Sequence, residues 1–148
     1  MEREISIRKA VLDDYSDLAR LTIQLGYQEE PAKVKDRLND LLTNHDDHVI
    51  FVAEVDNQIV GWVHGFFYLL FYAETMCEIG GLVVDENYRR KGIAKKLMKF
   101  IEDWAVEKGC NKVSLRSGSD RKNAHQFYKD IGFDFIKTQY RFIKDISQ

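Results

Sequence analysis

The feature that most constrains this chain is a change of hydrophobic period across one polar loop. Gly81-Leu82-Val83-Val84 closes a β-rich stretch that begins near Glu74, and the polar run Asp85-Glu86-Asn87-Tyr88-Arg89-Arg90-Lys91 follows it. From Gly92 to Lys108 the apolar residues Ala94, Leu97, Met98, Ile101, Trp104 and Ala105 recur at helical spacing and make one stripe. Such a stripe needs an apolar surface to cover, and the strand that feeds it supplies part of a sheet. All-helical and all-β folds are therefore excluded, and a layered α/β arrangement is expected.

The remaining periodicities fill in that arrangement. Residues 5–8 read as a short first strand. Asp13 can cap a helix whose residues Tyr15, Leu18, Thr22 and Leu25 share a face, with Gly26 ending it. Pro31 suits the first turn of a second helix carrying Val34, Leu38, Leu41 and Leu42. Residues 48–55 and 58–70 are β-rich runs separated by Asp56-Asn57, a hairpin signal. After the long helix, Gly109 is a stop, residues 112–116 a short strand, 123–130 a short helix and 133–142 a final β run. The pattern predicts one mixed domain over residues 1–148, built on a single sheet with about four helices.

Composition narrows the function classes. Net charge is -2, from 22 basic and 24 acidic side chains, so the excess of Lys and Arg that recruits nucleic acid or anionic lipid is missing. The most apolar stretch, 59–72, is interrupted by Gly61, His64 and Gly65 and is too short to span a bilayer as a helix. The chain opens Met1-Glu2-Arg3-Glu4, without an apolar signal region. Cys77 and Cys110 have neither a CxxC spacing nor a paired His, which reads as two buried thiols in a reducing compartment. A cytoplasmic protein with no metal, no membrane and no nucleic-acid partner is the expectation. His45 and His48 flank a strand start without a special role, and His125 is expected to face solvent.

The chemistry concentrates where the period changes. A helix start presents unpaired backbone N–H groups and the positive end of the helix dipole, which together bind anions. Gly92 permits close approach of a phosphate to the backbone, and Arg89, Arg90, Lys91, Lys95 and Lys96 surround that opening with positive charge. A dinucleotide-binding loop would require GxGxxG, which this segment does not have. The residues point to a polyphosphate ligand.

Here the chain resembles the GNAT superfamily of N-acetyltransferases. Arg89-x-x-Gly92-x-Ala94, following Leu82-Val83-Val84, is similar to that family's acetyl-CoA motif. Ala124-His125-Gln126-Phe127-Tyr128-Lys129-Asp130-Ile131-Gly132-Phe133 is similar to its second signature. The resemblance implies a mostly antiparallel sheet that splays after the strand bearing Leu82, Val83 and Val84, whose backbone holds the pantetheine arm. It implies that the amides of Arg90, Lys91, Gly92, Ile93, Ala94 and Lys95, with Arg89 at the loop, hold the pyrophosphate. It further implies direct acetyl transfer to an amine, with Glu78 as base and Tyr128 as the acid that protonates the departing thiolate. One departure stands out: Arg121 occupies a position where the family often carries Asn. A homodimer is also expected, because relatives commonly form one and the aromatic content is 12%. The competing reading is a non-catalytic acetyl-CoA-binding regulatory module; the presence of both Glu78 and Tyr128 favours the enzyme. The acceptor side is expected around Tyr27, Trp62, His64, Tyr68 and Tyr72.

Overall fold

The computed structural model describes residues 4–148, and its contacts divide into a larger unit ending at Leu115 and a smaller one, Arg116–Gln148. In the larger unit the elements run β1 (Ser6–Lys9), α1 (Tyr15–Gln24), α2 (Pro31–Asn44), β2 (His48–Val55), β3 (Gln58–Tyr68), β4 (Met76–Val84), α3 (Ile93–Glu107) and β5 (Val113–Leu115). The five strands form one sheet in sequence order, with antiparallel pairing from β1 to β4 and a parallel last pair. Asp56 and Asn57 turn β2 into β3 with φ of 51° and 64°, a left-handed two-residue turn that Asp and Asn tolerate.

The two faces of the sheet are covered by different helices. On one, Val52, Trp62 and Val83 stand opposite one another across β2, β3 and β4, and pack with Leu18 and Leu21 of α1 and Leu38 of α2. On the other, α3 buries Ile93, Leu97, Met98, Ile101, Trp104 and Ala105, the stripe expected from the sequence except that Ile93 takes the place of Ala94, which is only half-buried. The Trp104 ring stacks on Phe67 with centroids 4.8 Å apart. Close approach of α3 depends on Gly65, where a Cβ would sit 2.9 Å from Ile101 Cδ1. No helix among the described residues is long and apolar enough to cross a membrane.

Two local expectations are corrected. Asp13 does not cap α1. The helix begins at Tyr15, and Asp14 turns back to accept two hydrogen bonds from the Arg8 guanidinium, at 2.8 and 2.9 Å, and one from Val11 N–H at 2.8 Å. The final β run, 133–142, is not a strand. The smaller unit holds one helix, α4 (Lys122–Asp130), and the residues after it form no ladder among the described residues. A strand needs a partner for its backbone groups, and β-propensity measures fit to a half-buried pleated surface, which this segment does not have. Phe135, Ile136, Tyr140, Phe142 and Ile143 consequently remain exposed.

Candidate functional site

The sheet opens at β4. Its parallel pairing with β5 covers only Cys77, Glu78 and Ile79, opposite Val113, Ser114 and Leu115, while β4 itself continues to Val84. Leu82, Val83 and Val84 pair with β3 on one side, and no described strand pairs with them on the other. In an antiparallel strand alternate residues direct their N–H and C=O groups to opposite sides, so part of this backbone is left for another partner. An extended molecule can add there as a strand would.

Beyond Val84 the chain is braced before it reaches α3. The buried Asp85 carboxylate accepts from Asn87 N–H at 3.1 Å and faces Arg20 Nη1 at 3.5 Å, while Arg20 Nη2 donates to the Ile59 carbonyl at 3.0 Å. Gln24 Oε1 accepts from Glu86 N–H at 3.1 Å. These contacts tie the loop to α1. Arg89 Nε lies 3.4 Å from the Val84 carbonyl, and Lys91 Nζ sits 5.4 Å from the Tyr88 ring centroid.

The approach to the helix uses two left-handed residues. Arg90 has φ of 64° and Gly92 φ of 78°, and Gly92 is the N-cap of α3. A built Cβ at Gly92 meets nothing within 4 Å, so the space above this backbone is open. The first intrahelical bond of α3 runs from Lys96 N–H to the Gly92 carbonyl at 3.1 Å. The N–H groups of Ile93, Ala94 and Lys95 therefore point out of the helix start without intrahelical acceptors, beside the exposed Arg90, Lys91 and Lys95 side chains. The geometry suits a phosphate-bearing ligand whose extended arm runs along Leu82–Val84.

Glu78 lies in the middle of β4, buried, and Ser114 Oγ donates to its Oε1 at 3.0 Å. It stands opposite Phe66, which in turn stands opposite His48, so all three face the α1 and α2 side of the sheet. His64 belongs to the same face; burial, with a smaller effect from His48, lowers its pKa to about 4, so the ring is neutral. Its Nε2 is 2.8 Å from His48 Nδ1. Trp62 Nε1 is buried on this face without a hydrogen-bond partner among the described residues.

Cys77, beside Glu78, points to the α3 side, where its Sγ lies 3.4 Å from a Cβ built at Gly65. Burial, followed by the neighbouring Cys110, pushes its thiol up to about 11, so it is no ready nucleophile. Both cysteines are free and buried, as the sequence suggested.

Tyr128 lies on α4 in the smaller unit, its ring against Phe127 and Phe133 at 5.5 and 5.9 Å. Burial raises its pKa, against an opposing pull from Arg121, so the phenol keeps its proton. His125 does not simply face solvent: its Nε2 is 2.8 Å from the Gly118 carbonyl. Three site residues escaped sequence reading. Asp85 had a signal, an Asx-type bond to the residue two positions on, whereas Arg20 and Ser114 had none because their partners are distant in sequence.

A sheet opened at one strand and running into a helix start that is open at Gly92 and ringed by cations suits an extended, phosphate-bearing ligand. The chain matches the acetyltransferase (GNAT) family over residues 9–133 and belongs to that family; it is an N-acetyltransferase. It is 31% identical over 137 residues to an uncharacterized N-acetyltransferase of Chlorobaculum tepidum, covering 90% of this chain and 78% of that one. Among solved structures, it resembles the aminoglycoside N-acetyltransferase AAC(6')-Iy in complex with CoA, with a TM-score of 0.87, 17% identity and 97% of each chain covered. It also resembles glucosamine-6-phosphate N-acetyltransferase from Arabidopsis thaliana, with a TM-score of 0.83 and 26% identity over 96% of this chain and 99% of that one.

Proposed function

We propose that this chain moves an acetyl group from acetyl-CoA directly to the primary amine of a small molecule or protein, both substrates being bound together. The observation that carries the reading is the unpaired side of β4 at Leu82–Val84 leading into the left-handed Gly92 at the start of α3. In this reading, backbone groups of Leu82, Val83 and Val84 hold the pantetheine arm. The amides from Arg90 to Lys95, with Arg89 nearby, hold the pyrophosphate.

The chemistry follows from proton bookkeeping. A lysine-like amine is protonated at neutral pH, with a pKa near 10.4, and must lose a proton to attack the thioester carbonyl. Glu78 is assigned as the base, directly or through water, and Ser114 as the group that orients its carboxylate. The departing thiolate takes a proton from Tyr128, whose phenol is kept neutral by burial. Holding both substrates together supplies the proximity, so neither an acetyl-cysteine nor a metal is needed in the reaction. On the acceptor side, Trp62 has an indole N–H without a partner among the described residues, and Tyr27, Tyr68 and Tyr72 are the further aromatic candidates for the wall.

We extend the reading to the domain and its location: residues 1–148 act as one acetyltransferase domain in the cytoplasm. Two copies associate, with the exposed apolar segment that carries Phe135, Ile136, Tyr140, Phe142 and Ile143 as surface to cover. Calorimetric titration with acetyl-CoA, followed by thiol release against a panel of amines, tests the central claim. Absence of both heat and turnover overturns it. A monomeric mass by light scattering overturns the dimer alone.

A further inference from the structure

At the junction of α2 and β2 the sequence His45-Asp46-Asp47-His48 forms a tight turn closed by a hydrogen bond from His48 N–H to the His45 carbonyl at 3.2 Å. That closure brings the first and fourth residues of the turn together. Phe67 N–H donates to the Asp47 carbonyl at 3.0 Å, so the turn is also fastened to β3. One imidazole nitrogen from each of His45 and His48 and one Asp47 carboxylate oxygen lie within 4.8 Å of one another. We propose that His45, Asp47 and His48 bind a divalent first-row transition-metal ion, with His64 and Asp40 orienting the two imidazoles.

The second observation is the way the rings are held. Metal-binding imidazoles usually give their other nitrogen to a fixed partner, which sets the tautomer and aims the lone pair. Both rings have one. His48 Nδ1 is 2.8 Å from His64 Nε2, and the His48 ring is stacked on Phe66 with centroids 5.2 Å apart and 16° between planes. With His48 Nδ1–H donating to His64 Nε2, His48 Nε2 keeps its lone pair for an ion. His45 Nε2 is 3.2 Å from Asp40 Oδ2, a carboxylate–imidazole pair that leaves His45 Nδ1.

Donor type selects the ion. Two imidazoles and one carboxylate suit zinc, nickel or copper, while magnesium and calcium prefer oxygen ligands. A tetrahedral zinc site with bonds of about 2.0–2.1 Å needs donors about 3.3 Å apart. Exposed Asp47 can supply that adjustment by side-chain rotation, because both rings are already braced. Water completes the shell. Asp40, Asp46 and Asp47 bring negative charge to the junction, against Lys9 and Lys108 on the neighbouring groove. The ion would clamp the end of α2 to the start of β2.

The test uses the full chain without a histidine tag, stripped with chelator and titrated with zinc by calorimetry. One zinc per chain and a raised melting temperature are expected, with no response to magnesium. His48→Ala and Asp47→Asn should each weaken binding at least about tenfold, and His64→Ala by roughly 10- to 100-fold through loss of orientation. Circular dichroism confirms that each variant is folded; exposed Asp47 makes Asp47→Asn the safest of them. A Cys77→Ser, Cys110→Ser double variant should bind as the wild type does. The proposal is overturned by absence of zinc binding, by wild-type affinity in both His48→Ala and Asp47→Asn, or by loss of binding in the cysteine variant.

Discussion

Ser114 Oγ donates a 3.0 Å hydrogen bond to Glu78 Oε1 across the short parallel pairing of β4 and β5, where the two residues stand in register. The bond fixes one carboxylate oxygen of a buried side chain. Glu78→Gln keeps the shape and removes the proposed base, so we expect turnover to fall by roughly 10²–10⁴-fold near neutral pH. Raising the pH toward the amine's own pKa should recover part of that loss, because solvent then delivers the free amine. Ser114→Ala should lower kcat by about tenfold with little change in acetyl-CoA affinity, on the scale of one hydrogen bond to a charged group. Ser114→Thr should restore it. A pH-independent defect in Glu78→Gln would mean positioning rather than base catalysis.

Tyr128→Phe retains the ring that meets Phe127 and Phe133 and deletes only the hydroxyl. Turnover should drop by roughly 10²–10⁴-fold while acetyl-CoA affinity holds, and high pH should bring no rescue, since it supplies no acid. Comparing this pH–rate profile with that of Glu78→Gln separates the two roles. Wild-type turnover in Tyr128→Phe would end the assignment.

What the sequence disclosed, and what it hid, divides by the range of the interaction. The stripe of α3, the Asp56-Asn57 turn and the Gly92 helix start are set by residues within a few positions of one another, and all three were legible. The Arg20–Asp85 contact, 65 positions apart, and the Ser114–Glu78 bond, 36 apart, depend on which strands and helices become neighbours, so no local pattern announces them. Asp14 was missed for the same reason: its partner Arg8 sits on another element, and Asp13 offered the simpler local reading as a cap. Residues 133–142 failed in the opposite direction, since their period is strand-like but strand formation is a property of the pair.

Cys77 gives a negative control for direct transfer. Its thiol is pushed up to about 11 by burial and faces the α3 side, away from Glu78. Cys77→Ser should leave turnover within about twofold of wild type, and maleimide treatment of the native protein should not inactivate it. A loss of several orders of magnitude would instead indicate an acetyl-cysteine route.

The Arg8–Asp14 pair should govern the acid limb of stability. Burial tends to raise the Asp14 pKa, but hydrogen bonds from Arg8 and Val11 N–H outweigh it and the net shift is downward from 3.8. A carboxyl depressed in the folded state contributes stability above its unfolded pKa, and loses that contribution as pH falls through the folded value. Asp14→Asn should therefore destabilise the protein by about 1–3 kcal/mol at pH 7, with a smaller difference from wild type below about pH 4. Denaturant midpoints measured from pH 7 to pH 3 check this; a difference that stays constant across the range would contradict it.

Gly92 allows strain to be separated from ligand electrostatics. Its φ of 78° costs an L-residue roughly 1–2 kcal/mol, yet a Cβ there meets nothing within 4 Å. Gly92→Ala should accordingly lower stability by about that amount and leave a folded protein that still binds acetyl-CoA, less tightly if the strained loop shifts. Gly92→Glu carries the same strain and adds a carboxylate among the N–H groups of Ile93, Ala94 and Lys95. It repels a pyrophosphate, and it can itself occupy that anion site and relieve the helix dipole. We therefore expect Gly92→Glu to be at least as stable as Gly92→Ala without ligand, but to gain nothing when ligand is added. The wild type should gain roughly 2.7 kcal/mol at 100 times its dissociation constant. Thermal melts of the three proteins with and without acetyl-CoA decide the matter. If Gly92→Glu is stabilised by acetyl-CoA as much as the wild type, the pyrophosphate does not bind at the start of α3.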